Sequence, residues 1–230
     1  MLTSNNNYLW YAYIMKILLT LIVLFFSSSV VAEFPTKLFG VELNDDIKNY
    51  TKNQKSMELS DHGFLDWYYV DLEKLIPNLN FESYRIFQDE NDIIVSIQGY
   101  KPYDNLKVSD CVEDANQLSD FLKSKYELSK EFEINYIKES FYDSLSEEYI
   151  LFNVYERKVT GTVKNKKSLL QVSCEFPDRK TGRYRSFLHL KLQNYSFEKK
   201  EDEKNILEYV SFNEFVKNFK ELGYNDFVGL

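Results

Sequence analysis

The chain holds two cysteines, Cys111 and Cys174, and each falls on an apolar face. In "SDCVEDANQLSDFLKSKYEL", Cys111, Ala115, Leu118, Leu122 and Tyr126 recur at helical spacing, so the first cysteine lies on the stripe that a helix buries. From Ser168 to Phe176, Leu170, Val172, Cys174 and Phe176 share one side of a strand, because strand side chains alternate with a period of two. Bringing the two apolar faces together also brings the sulfurs within bridging reach. The expected fold class is therefore α+β: antiparallel β-sheet(s) with a disulfide-tethered helix packed on one face, and a short C-terminal helix. A bridge closing about 60 residues would stabilise such a fold by roughly 4 kcal/mol in the chain-entropy model.

A disulfide needs an oxidising compartment, and "MKILLTLIVLFFSSSVVAEF" (Met15 to Phe34) supplies an address for one. It has a basic start at Lys16, an apolar centre from Ile17 to Phe26, and a small-residue end in which Val30 and Ala32 suit the −3 and −1 cleavage positions. The apolar centre is roughly half of the ~20 residues that span a bilayer. Reading it instead as an anchor extended back through Tyr8 to Ile14 places Lys16 mid-span, at roughly 2.5–3.5 kcal/mol on insertion scales. The expectation is a signal peptide over 1–32, with Met15 as the true start and no stable membrane anchor after cleavage. Localisation is then periplasmic or secreted. Residue 33 is Glu, so a bacterial lipid anchor has no acceptor thiol there.

Residues 33–230 read as a single α+β domain, and the order strands, helix, strands, helix also fits two related halves, about 33–108 and 109–200, followed by a helix over 211–222. The stretch "FPTKLFGVELNDDIKNY" carries an "FG-x-x-L" shortly after the leader: a short apolar strand, a polar turn, then a brief helical or extended piece. It resembles the start of many small exported proteins of unknown function from AT-rich Gram-negative bacteria. The resemblance covers about fifteen residues, implies export, and carries no assigned activity.

Further strands are expected over Phe64–Leu72, Phe81–Gln88 and Asp92–Lys101, the last two joined by the turn "QDEND". Asp110 with Glu113 forms a capping box for the cysteine-bearing helix. Three long strands follow, Glu148–Val163, Ser168–Phe176 and Tyr184–Phe197, with "KNKK" and "PDRKTG" as turns. The run "EKKEDEK" after Phe197 is a solvated linker or helix start. Ser211 and Glu214 cap a final helix striped by Phe212, Phe215, Val216, Phe219 and Leu222, ending at Gly223.

Composition limits the chemistry. The formal net charge is −8, and the leader contributes one base and no acid, so no nucleic-acid partner is expected. The 18 Phe and 18 Tyr accompany an abundance of Asn, Lys and Ile, as AT-rich coding produces, and are core filler by default. Two histidines, His62 and His189, have no metal-ligand spacing, and the seven glycines form no phosphate cradle. His62 reads as a turn histidine before Gly63, and His189 as a half-exposed sheet residue. Neither "NDD" (44–46), "DEND" (89–92) nor "EDE" (201–203) matches an EF-hand loop. No catalytic residue, metal ligand or cofactor is singled out. The basic run "DRKTGRYR" (178–185) reads as a polar hairpin turn that also suits a phosphate, an acidic glycan or an acidic partner. Asn49 and Asn194 head glycosylation sequons that matter only for a eukaryotic source.

The candidate binding face joins Arg185, Phe187, His189 and Lys191 of the last long strand with Gln171, Ser173 and Glu175 of its neighbour, opposite the leucines and Cys174. The expected function is a non-catalytic binding or interaction module for a protein or small-molecule ligand. The alternatives are a carboxylate-dependent hydrolase of envelope or extracellular polymers, which needs two acids across a cleft, and an envelope-assembly component.

Overall fold

The computed structural model describes residues 15–16, 34–50, 56–58, 66–68, 81–103, 108–143, 147–177, 185–202, 205–222 and 224. The chain divides into two units, 1–32 and 33–230. In the first, Met15 and Lys16 are helical. The second begins with β1 (Lys37–Leu38) and β2 (Val41–Glu42), a minimal hairpin whose corner, Phe39 and Gly40, takes positive φ at both positions. A 3-10 turn at Ile47–Asn49 follows, its Lys48 N–H served by the Asp46 carboxylate. β3 (Ser56–Glu58) pairs antiparallel with β4 (Asp66–Tyr68), so the strand expected over Phe64–Leu72 is described at 66–68 alone.

The remaining strands form one seven-stranded antiparallel sheet: β5 (Ser83–Gln88), β6 (Ile94–Tyr103), β7 (Glu133–Asp143), β8 (Glu148–Val163), β9 (Lys166–Pro177), β10 (Ser186–Asn194) and β11 (Ile206–Tyr209). Their spatial order is β11-β7-β8-β9-β10-β6-β5. The β5–β6 turn forms as the sequence leads one to expect, because Asp89 Oδ1 accepts from the backbone N–H of Asn91 and Ile93 at 2.9 and 3.0 Å. Between β8 and β9, Lys164 and Asn165 both take positive φ, the two-residue turn whose twist matches the flanking strands. The second hairpin turn, at 177–182, lies outside the described residues beyond Pro177.

Three expectations need correction. Helix α1 runs Val108–Lys125, two residues ahead of the expected cap, so Asp110 sits inside its first turn. The strand expected to continue to Phe197 stops at Asn194, and Tyr195–Asp202 forms helix α2. Strands β7 and β11 were not foreseen. Helix α3 (Phe212–Glu221) does begin at Ser211, whose Oγ accepts from the Glu214 N–H at 3.3 Å.

One sheet face is apolar. Leu170, Val172, Cys174 and Phe176 of β9 and Leu188, Leu190 and Leu192 of β10 belong to one buried cluster with Cys111, Val112, Ala115, Leu118 and Leu122 of α1. The Cys111–Cys174 disulfide ties α1 to β9, with a Cα–Cα separation of 6.0 Å. Polar contacts reach α1 from either side of that bond. Asn116 Oδ1 accepts from Tyr155 Oη at 2.8 Å and Arg157 Nη1 at 2.9 Å on β8, and Asp114 pairs with Lys101 while accepting from Tyr103 Oη at 2.6 Å on β6. Further along the same face, Phe176 packs edge-on to Phe219 of α3 and to Tyr224, with ring centroids 4.8 and 5.9 Å apart. Gly99 on β6 is required by packing: a Cβ there would stand 2.6 Å from the Phe39 ring.

Candidate functional site: the polar face of the sheet

The other face is set by the same alternation. Opposite Ser173 on β9 lie Glu156 on β8 and His189 on β10, and His189 in turn faces Tyr100 on β6. One step along, Lys158, Gln171, Lys191, Gln98 and Arg85 form the next row, from β8 across to β5. On the row to the other side, Glu175 faces Phe187. Antiparallel pairing of five strands therefore collects charged, amide and aromatic side chains from segments separated by as much as a hundred residues of chain.

These groups are bonded to one another. Arg85 Nη1 donates to Tyr100 Oη at 3.0 Å, and Tyr100 Oη donates to Gln98 Oε1 at 2.6 Å. Gln98 Nε2 donates to Ser96 Oγ at 2.9 Å, and Ser96 Oγ donates to Gln193 Oε1 at 3.2 Å. His189 Nδ1 lies 3.0 Å from Glu175 Oε1, which also accepts from Ser173 Oγ at 3.2 Å. Rings stack alongside: the imidazole of His189 lies 4.0 Å from the Tyr100 ring at 27°, Phe187 stands edge-on to Tyr100, and the Arg85 guanidinium sits 4.2 Å from the Tyr100 centroid. A second centre surrounds Glu156, which accepts from Gln171 Nε2 at 2.8 Å and Asn135 Nδ2 at 2.9 Å and pairs with Lys158 at 3.2 Å.

Burial sets the protonation states. It pushes the Tyr100 phenol up to about 12, so this hydroxyl remains a donor at neutral pH. Burial, aided by the nearby positive charge of Lys191, lowers His189 and favours the neutral ring. Burial alone would raise Glu175, but the hydrogen bond from His189 and the charge of Lys191 more than offset it, leaving the carboxyl below its ordinary value. A neutral imidazole that donates Nδ1–H to Glu175 turns its unprotonated Nε2 toward Gln98 Oε1, 3.1 Å away, an oxygen that the Tyr100 hydroxyl already serves. Burial lowers Lys191 as well, yet the carboxylates of Glu175, Glu139 and Glu156, with the Tyr100 phenol, hold it raised.

The structure thus brings Gln171, Ser173, Glu175, Phe187, His189 and Lys191 to one face, with Arg185 exposed just before β10. It differs from the sequence reading in accessibility. His189 is 4% exposed rather than half-exposed, and Ser173 is wholly buried. Phe187, Lys191 and Glu175 keep partial exposure. Arg85, Gln98, Tyr100, Glu156 and Lys158 were missed, although Ser96, Gln98 and Tyr100 alternate with Ile97 and Gly99 in the same way as the residues that were found.

Other candidates resolve differently. The acids at 45 and 46 serve turns: Asp45 accepts from Tyr50 Oη at 2.9 Å, and Asp46 accepts from the Lys48 N–H at 2.8 Å. Among the described residues, no group of three or more His, Cys, Asp or Glu could hold a metal ion. Asn49 is exposed, whereas Asn194 is buried and donates to Asn44 Oδ1 at 2.8 Å. His62 and residues 178–184 of the basic run lie outside the described residues. No helix among the described residues is long and apolar enough to cross a membrane.

Comparison with protein-family models, with curated proteins and with solved structures returns no match for this chain.

Proposed function

We propose that the chain is an exported, non-catalytic binding module, and that the polar face of its seven-stranded sheet receives a ligand or partner. The observation that carries this reading is the bonded cluster formed by Arg85, Tyr100, Gln98, His189 and Glu175 beside the half-buried Phe187. A second apolar face would stabilise the fold at least as well, since burying polar and charged groups costs desolvation that their contacts only roughly repay. What such a cluster does provide is fixed side-chain positions, the condition for selective recognition. Export is supported by the Cys111–Cys174 bond and by the division of the chain at 32/33, where the leader-like segment ends.

The hydrolase alternative has one feature in its favour, a histidine held by a carboxylate. Yet the Ser173 hydroxyl donates to Glu175 rather than to its cross-strand neighbour His189, and Glu175 is drawn below the ordinary carboxylate range, the wrong direction for a general acid.

The test has two parts. Expression of the full chain in a Gram-negative host should give a periplasmic protein starting at Glu33 with no free thiol. That protein is then screened by thermal shift against envelope carbohydrates, amino acids and peptides, beside the Arg185→Ala/Phe187→Ala/Lys191→Ala variant. A ligand that stabilises the parent and not the variant supports the reading; ligands that act equally on both, or a wholly cytoplasmic protein with two reactive thiols, contradict it.

A further inference from the structure

Among the described residues of this cluster, each charge has a contacting partner with one exception. Glu156 is matched by Lys158 and two amide donors, Glu175 by His189 and Ser173, and Arg85 is laid against the Tyr100 ring and bonded to its hydroxyl. Lys191 stands in the middle of the sheet on the same face, half-buried, and among the described residues no hydrogen bond or ion pair reaches its ammonium. Its two cross-strand neighbours are Gln98 and Gln171; the Gln98 amide oxygen already accepts from Tyr100 Oη, and neither amide oxygen accepts from Lys191. A lysine whose stem is half-buried and whose ammonium meets no acceptor of the protein keeps its donors turned to solvent, free for a ligand.

The surroundings define what would supply one. In this row Arg85 lies two strands from Lys191 with Gln98 between them, so their Cα atoms stand about 9–10 Å apart by the usual strand spacing. Both side chains are long enough to reach one group over Gln98. On the adjoining row the Tyr100 and His189 rings are stacked, and Phe187 stands edge-on beside them with part of its surface open. A cation with vacant donor positions, four residues along β10 from a partly exposed aromatic edge and so about 13–14 Å from it between Cα atoms, fits a small molecule that spans the His189 row with an oxyanion on one end and a ring on the other.

Resting on the reading of this face as a ligand surface, we propose that Lys191 is the anion-recognising residue of the site, and that the ligand is a small ring compound carrying a carboxylate or phosphate. The oxyanion accepts from Lys191 Nζ, with Arg85 flanking, and the ring packs on Phe187. The carboxylates that keep Lys191 protonated do not touch it, so the ammonium is charged and still has donors to give.

The experiment is calorimetric titration of the full chain with galacturonate, glucose 6-phosphate and inorganic phosphate, with galactose as the neutral counterpart. The expected result is binding of at least one charged sugar, at least about tenfold weaker binding of galactose, and about tenfold or greater loss with Lys191→Met but not with Lys191→Arg. Preference for galacturonate or for glucose 6-phosphate assigns the anion as carboxylate or phosphate, and competition by inorganic phosphate on the unaltered protein reads the same site should Lys191→Met fail to fold. Failure of every charged probe to bind overturns the inference. So does equal binding of galactose, or a Lys191→Met variant that binds as the parent does. Neutral-ligand binding that is lost in Phe187→Ala alone would overturn the anion assignment while leaving the binding-module reading standing.

Discussion

On one side of the sheet Leu170, Val172, Cys174 and Phe176 meet Leu188, Leu190, Leu192 and the stripe of α1, and the contact is made of dispersion, apolar burial and one covalent bond. On the other side the very next residues along the same strands, Gln171, Ser173, Glu175, Phe187, His189 and Lys191, meet amides, carboxylates and rings. The two sides share backbone and register and differ only in side chains. Since a sheet of this size can be held by one buried face, the difference separates residues that make the fold from residues the fold merely positions.

The largest expected effect tests the first side. Replacing both cysteines by alanine removes a cross-link between residues 63 apart and should lower stability by about 4 kcal/mol in urea unfolding, with a steeper slope because the unfolded chain expands. On the second side, Glu156→Gln keeps the shape but weakens three contacts made to a charge, those from Gln171, Asn135 and Lys158, and should cost about 2 kcal/mol by the same measurement. Asn153 sharpens the contrast from the other direction. It lies opposite Phe176 on the apolar side, is wholly buried, and neither of its side-chain polar atoms has a hydrogen-bond partner among the described residues. Asn153→Leu should therefore raise stability by about 1 kcal/mol, and a loss would mean that the amide is satisfied in solution.

A smaller effect follows from His189. Its folded pKa lies below the ordinary value of 6.5, so the unfolded chain takes up a proton that the folded chain refuses. Its contribution to stability is complete above that value and declines as pH falls through it. Glu175, also lowered, adds a loss of the same sign only once pH falls below its ordinary 4.5. Between pH 6.5 and 5 the decline should thus be attributable to histidine, and His189→Gln should flatten the stability profile there by up to about 1 kcal/mol per pH unit. An unchanged slope would show that this ring is protonated in the folded protein.

What could be read from the sequence follows the same division. Strand β8 was expected over Glu148–Val163 and runs there, and the disulfide was legible because both cysteines fall on strictly apolar positions. Strand β7 was not, since Ile134, Tyr136 and Ile137 put apolar residues on both of its sides among Glu133, Asn135, Lys138 and Glu139, which leaves no clean alternation. β11 is a four-residue edge strand, too short to show a period. Tyr195, Ser196 and Phe197 favour strand locally, yet they open α2, so position in the fold prevailed over propensity. For the candidate face, alternation puts the named residues of β9 and β10 on one side, as their pairing does, but it cannot tell a solvated polar face from a buried, bonded one. That depends on Tyr100, Gln98 and Arg85 arriving from strands nearly a hundred residues earlier.

The central claim is that Lys191, unlike the bonded residues around it on the polar face, serves recognition and is not needed to hold the fold. Urea unfolding of Lys191→Met at pH 7 tests it most directly, because methionine keeps most of the apolar stem and removes the ammonium. The account predicts a stability within about 0.5 kcal/mol of the parent, or higher, since an ammonium without a contacting acceptor is lost. A loss of about 2 kcal/mol or more would make Lys191 a structural member of the face and contradict the claim.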